Sequence, residues 1–148
     1  MTRMVFVTLA VLGWSSFHTG IDQDVPALTE LRRVEAQWQA RKPKSYEYAI
    51  DVRCMLCSAR TPPRFRVVNG QSALLDEVPS FTRDVYRSFG TVELLFASIR
   101  STVRRGQYKA AVKYNDEYGY PEVVDLDPRR DVFDDELYFR VIDFRVLE

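Results

Sequence analysis

The sequence predicts an α+β fold: an antiparallel β-sheet of about five or six strands with two helices packed on one face. Three observations carry this reading. Two stretches, one ending near Arg41 and one running from Thr91 to Gly106, repeat apolar residues at helical spacing. Several others alternate apolar and polar residues in the manner of half-buried strands. The reversals at Asn69-Gly70 and Gly119-Tyr120-Pro121 are short, which favours antiparallel hairpins over crossover units.

In chain order, Asp24 can cap the first helix with Pro26 in its first turn, where a missing N–H costs nothing. Leu28, Leu31, Val34 and Trp38 form its apolar stripe, and Pro43 ends it at about Arg41. Trp38 is expected to fasten this helix to the sheet. Tyr46, Tyr48, Ile50, Val52 and Cys54 then alternate with Glu47, Asp51 and Arg53, which predicts a strand with one wet face. Phe65–Val68 is its expected partner, and Asn69-Gly70 is a strong hairpin signal leading into a strand over Gln71–Leu75.

Residues 76–90 read as a loop with one or two helical turns, Phe81, Val85 and Phe89 lying at helical spacing. The second helix is clearer. Thr91 caps it, Glu93 favours its N-terminal dipole, and Val92, Leu95, Phe96, Ile99 and Val103 make its buried stripe. Arg100, Arg104 and Arg105 suit the negative end of that dipole better than an anion site, and Gly106 can supply a left-handed stop. Tyr108 to Tyr114 alternates as a strand, residues 115–121 reverse the chain, and Glu122–Asp127 returns. The last strand, Leu137–Leu147, is apolar on both faces (Leu137, Phe139, Val141; Ile142, Phe144, Val146), which predicts a central place in the sheet.

Composition limits the function. At 148 residues, with 46% hydrophobic and 13% aromatic residues, the chain fits one globular domain rather than a disordered segment. Its 21 basic residues equal its 21 acidic ones, so the broad positive field that nucleic acid requires is absent. Thr2-Arg3 followed by the apolar run Met4–Trp14 has the form of a signal peptide over residues 1–20, leaving a single domain over 21–148. Cleavage ahead of Ser16 and cleavage after Gly20 both stay open. The run falls short of the ~20 residues that span a bilayer, so no permanent membrane span is expected. The expected location is secreted, periplasmic or cell-envelope.

Three sets of residues could carry chemistry. Cys54 and Cys57 could hold a metal, exchange disulfides or form a structural disulfide. A zinc site lacks a second ligand pair, and redox chemistry wants the first cysteine at a helix N-terminus, so a structural disulfide in an oxidising compartment is the expectation. Asp125, Asp127 and Asp131 are weak calcium candidates, since the EF-hand spacing is missing and Arg129-Arg130 interrupts them. Tyr114, Tyr118 and Tyr120, with Asp134, Asp135 and Glu136, make a candidate binding surface, because tyrosines near turns supply contact area at low entropic cost. No glycine-rich phosphate loop and no histidine-based nucleophile arrangement accompanies them, so neither a catalytic residue nor a cofactor is assigned.

From roughly residue 30 onward the chain resembles a family of small exported bacterial proteins, often lipoprotein-like, known only as a domain of unknown function. The resemblance rests on Trp38, Tyr46-Glu47-Tyr48, Cys54 with Cys57, Asn69-Gly70 and Thr91-Val92-Glu93-Leu94-Leu95-Phe96. Its most specific parts are Tyr114-Asn115-Asp116-Glu117-Tyr118-Gly119-Tyr120-Pro121 and Asp134-Asp135-Glu136. The family's cysteines usually stand one residue apart and its turn usually carries Asp in place of Asn115; no lipid-attachment cysteine follows the apolar run. The resemblance implies an envelope or secreted location and this α+β layout, and it brings no activity. The functional expectation is a non-catalytic extracytoplasmic domain that binds a protein or another envelope component. The alternative is thiol-disulfide exchange or a calcium-dependent enzyme or binding site.

Overall fold

Helix α1 (Pro26–Arg41) forms where the first apolar stripe lies and buries Leu31, Val34 and Trp38. A computed structural model describes residues 26–53, 59 and 61–148. The expected leader, the Asp24 cap and both cysteines lie outside the described residues. Strands β1 (Ser45–Arg53), β2 (Arg64–Val68), β3 (Gln71–Leu74), β4 (Lys109–Tyr114), β5 (Pro121–Asp127) and β6 (Leu137–Val146) form one open antiparallel sheet. Their order across it is β3-β2-β1-β6-β5-β4. Helices α2 (Ser80–Arg87) and α3 (Val92–Arg105) complete the α+β fold. No described helix is long and apolar enough to cross a membrane.

The helices share one face of the sheet. Tyr48 donates its hydroxyl to the Phe89 carbonyl at 2.5 Å, the Val92 N–H donates to the Tyr46 hydroxyl at 3.3 Å, and Phe89 meets Phe139 edge-on. Between the layers lie Tyr46, Tyr48, Ile50, Phe65, Leu95, Phe96, Ile99, Val124 and Phe139, all buried. The expected α3 stripe is buried in full, and Thr91 caps the helix by accepting the Leu94 N–H at 3.2 Å. The Asn69-Gly70 hairpin forms with both residues at positive φ, the combination a type I′ turn needs.

Four expectations change. The short helix α2 turns Thr82 and Tyr86 inward and leaves Phe81 63% exposed, so its buried face is set one residue along from the predicted one. A stripe counted only in apolar residues overlooks Thr82, whose hydroxyl donates to the Pro79 carbonyl and so tolerates burial. Gly106 ends α3 in an extended conformation (φ 156°, ψ 177°) instead of a left-handed one. The arginines near that end diverge: Arg100 pairs with Glu35 of α1, while Arg105 donates to Thr102 and to the Asp135 carbonyl.

The fourth change concerns β6, which is central as expected but for a different reason. Ile142 pairs with Ala49 and Arg145 with Glu47, so β6 has one extra residue between them. Asp143 sits there at φ 53°, as in a β-bulge. The bulge switches the alternation, placing Phe144 beside Tyr46 and Tyr120 on the same face as Phe139 and Val141. β6 is therefore apolar on one face along its whole length, and the opposite face carries Tyr138, Arg140, Ile142 and Arg145.

Candidate functional site

The Tyr114–Pro121 turn closes on its own side chains. Asn115 Oδ1 accepts the N–H groups of Glu117 and Tyr118 at 3.1 and 2.9 Å, and its Nδ2 donates to Glu122 at 3.0 Å. The turn then docks on α1. Gln37 donates to the Asp116 carbonyl at 2.8 Å, and Arg41 to the Glu117 carbonyl at 2.7 Å. Gly119, at φ 84°, lies so close to α1 that a Cβ there would stand 2.8 Å from the Val34 carbonyl oxygen. Tyr120 follows it into the core, its ring stacked on Phe144 at 4.3 Å and edge-on to Trp38. Burial pushes its hydroxyl up to about 12. Asn115→Ala removes both backbone contacts and is expected to cost about 1–2 kcal/mol, as loss of a helix cap does. Glu122→Gln leaves both backbone contacts and an acceptor for Asn115 Nδ2, and is expected to cost less; urea unfolding of both variants checks the order.

Among the tyrosines of the sequence-predicted surface, Tyr120 is buried, Tyr114 is half-buried with its ring stacked on Phe96, and Tyr118 is half-exposed against Phe144. Asp134 and Glu136 are exposed, whereas Asp135 turns inward and accepts Arg129 Nε at 2.8 Å. Its second oxygen, Oδ1, is buried without a hydrogen-bond partner among the described residues. Arg129 on its carboxylate and Arg105 on its carbonyl make this a poor place for a cation. Asp125 pairs with Lys109 at 2.5 Å, and Asp127 accepts the Arg129 N–H at 3.0 Å. No group of three or more His, Cys, Asp or Glu side chains able to hold a metal ion occurs among the described residues.

Among the described residues no helix covers the sheet face turned away from α1, α2 and α3. Across β2, β1 and β6 the register brings Arg64, Arg66, Glu47, Asp51, Arg53, Arg140 and Arg145 onto it. Five arginines thus face two carboxylates. Glu47 was expected on a wet face, yet its side chain is 1% exposed. Arg66 donates Nε to Oε1 at 2.5 Å, and Arg145 donates Nε to Oε2 at 2.9 Å with a further bond from Nη2. Both arginines are directly opposite Glu47 in the register, one on each neighbouring strand. Arg145 first, then Arg66, hold the Glu47 carboxyl below its ordinary range. Arg140 lies 3.5 Å from Asp51, and the Arg53 guanidinium lies 4.0 Å from the centre of the Tyr138 ring. On the outer half of the same face the lysines are matched, Lys109 by Asp125 and Lys113 by Glu122.

Comparison with known protein families matches residues 30–146 to a family of unknown function, DUF6174. The chain belongs to that family. No curated protein and no solved structure matches the chain. The DUF6174 match takes in the docked turn, the Asp-rich connection and all six strands of the bare face, so these features lie within the family's domain.

A second polar group of this DUF6174 domain sits at the start of α3. Glu93 accepts Trp38 Nε1 and Lys42 Nζ, each at 3.0 Å, beside a cleft of about 360 Å³ lined by Lys42, Lys44, Tyr46 and Asn69. Burial alone raises the Glu93 carboxyl, but the bonds from Trp38 and Lys42 outweigh it and hold it below the ordinary range. A carboxylate depressed by folding stabilises the fold above its unfolded value, and that contribution is lost as pH falls through the folded one. Stability is therefore expected to fall on acidification below about pH 4–5. Glu93→Gln is expected to flatten that fall while lowering stability at neutral pH, read as melting temperature against pH for both proteins.

Proposed function

We propose that this DUF6174 domain is a non-catalytic extracytoplasmic module that recognises an acidic protein of the cell envelope through the bare face of its sheet. The observation that carries the reading is the charge on the β2-β1-β6 part of that face: five arginines against two carboxylates, in a chain whose net charge is zero. Arginine binds carboxylates through a planar fork and is enriched at protein interfaces, where lysine is depleted. Ile142 and the exposed Val68 lie among the arginines on the same face, which supports a polypeptide partner over a purely anionic polymer. The signal-like N-terminus supports export.

Two measurements test this. The chain recovered from fractionated cells is expected outside the cytoplasm with its N-terminus between Ser16 and Ile21; a cytoplasmic chain retaining Met1 overturns the location. A photo-cross-linking residue placed at Ile142 is expected to give a protein adduct in living cells, and one at Gln39, exposed on α1, is not. Arg53→Glu with Arg140→Glu is expected to abolish the Ile142 adduct. Equal adducts from both positions, or an Ile142 adduct indifferent to those reversals, overturn the assignment of the face.

A further inference from the structure

Glu47, Arg66 and Arg145 go beyond what a stable sheet requires. A carboxylate enclosed on a sheet face needs a counter-charge, and one well-placed arginine supplies it. Glu47 has two, one from each neighbouring strand, so the cluster keeps a positive charge in excess. An apolar residue at this position would meet the packing need with no ion pair at all, since replacing buried pairs by hydrophobic groups is often neutral or stabilising. What the carboxylate adds is geometry. It engages Arg66 through Nε and Arg145 through Nε and Nη2, leaving both Nη groups of Arg66 and Nη1 of Arg145 off the carboxylate. Both arginine side chains are more than half exposed, at 51% and 58%, while the glutamate between them is enclosed.

We propose that this cluster is a preorganised carboxylate receptor: Glu47 fixes the two guanidinium groups, and their free edges take an Asp or Glu side chain presented by the partner. The proposal rests on the reading of the bare face above and names the point on that face where recognition is centred. Guanidinium groups already held in place lose less side-chain entropy on binding than free arginines do. Glu47 is a positioning residue, and Arg66 and Arg145 make the contacts. The ligand is a carboxylate on a polypeptide; phosphate-rich polymers share the charge but lack apolar groups to meet Ile142 and Val68 on the same face.

The test uses the full mature chain and an oligo-glutamate peptide as probe, titrated at low salt. The wild type is expected to bind the peptide measurably. Glu47→Gln raises the net charge by one, so a diffuse positive field would make the peptide bind more tightly. The receptor predicts the opposite: about tenfold weaker binding, because the two guanidinium groups are no longer fixed. Arg66→Lys with Arg145→Lys keeps the charge and removes the forks, and is expected to weaken binding by a similar factor. This pair leaves Glu47 with cationic partners, so it answers the question if Glu47→Gln unfolds, as circular dichroism would show. Unchanged or tighter binding in the lysine pair overturns the receptor while leaving the face reading intact, provided Arg53→Glu with Arg140→Glu still weakens binding. A wild-type chain that ignores oligo-glutamate but binds polyphosphate, or vesicles of anionic lipid, overturns the ligand class, and one that binds none of the three overturns the face reading as well.

Discussion

Gly106→Ala is expected to lower stability by about 4 kcal/mol, combining a strained backbone with an overpacked contact. A Cβ at this position would stand 2.2 Å from the Pro128 carbonyl oxygen and 3.1 Å from its carbonyl carbon. Neither atom belongs to a flexible side chain that could swing away. The Pro128 carbonyl is itself engaged, accepting the Tyr108 N–H at 3.3 Å where the chain enters β4. Relieving the clash therefore means moving either the end of α3 or the start of the last hairpin. Gly70 provides the control. It too has positive φ, yet a Cβ there meets nothing within 4 Å. Gly70→Ala is expected to cost only the conformational penalty, about 1 kcal/mol. Urea unfolding of both variants separates the two effects, and equal losses would show that conformation, not the approach of Pro128, makes glycine necessary at 106. Since small domains are stable by only about 5–15 kcal/mol, Gly106→Ala is also expected to reduce soluble yield.

That close approach shows where the sequence was readable. The cap and the apolar stripe of helix α3 could be read because both are local. Its stop was read from the right residue with the wrong geometry, because the reason for Gly106 is Pro128, which the sequence does not place beside it. β6 shows the same limit. A period of two assigns faces only while the register is unbroken, and the bulge at Asp143 moved Phe144 to the face opposite the one its spacing predicted.

The candidate site was less legible than the fold. Glu47 lies 19 residues from Arg66 and 98 from Arg145, and only strand pairing unites them. On sequence alone each is a solvated charge in an alternating strand. The Gly-Tyr-Pro turn was conspicuous for the converse reason: its Asn, Gly and Tyr are crowded into a few residues because the turn must close on itself and lie against α1 at once. Conspicuous spacing here reports a demanding backbone, while the arginine cluster, whose members look ordinary, carries the unbalanced charge.

Trp38→Ala is expected to be comparably damaging, at about 3–5 kcal/mol for truncating a fully buried aromatic side chain. Trp38 is 0% exposed and makes edge-on contacts with Tyr46, Tyr120 and Phe144 at 5.4–6.5 Å. It is the point where α1, the docked turn and the centre of the sheet meet. Its indole N–H also donates to Glu93, so truncation leaves that carboxylate with one of its two side-chain donors, Lys42. Trp38→Phe separates the contributions. It keeps most of the packing, loses the N–H, and is expected to cost roughly half as much or less. The damage should also be local in a way that unfolding free energy alone does not reveal. With Trp38 gone, Tyr120 loses one wall of its site, and the turn is left to its bonds with Gln37 and Arg41. Hydrogen exchange in Trp38→Ala is therefore expected to accelerate more at the Glu117, Tyr118 and Gly119 amides than in the β2–β3 hairpin at the far edge of the sheet. Uniform acceleration at both places would mean that the tryptophan supports the domain as a whole and does not specifically join the turn to the helix.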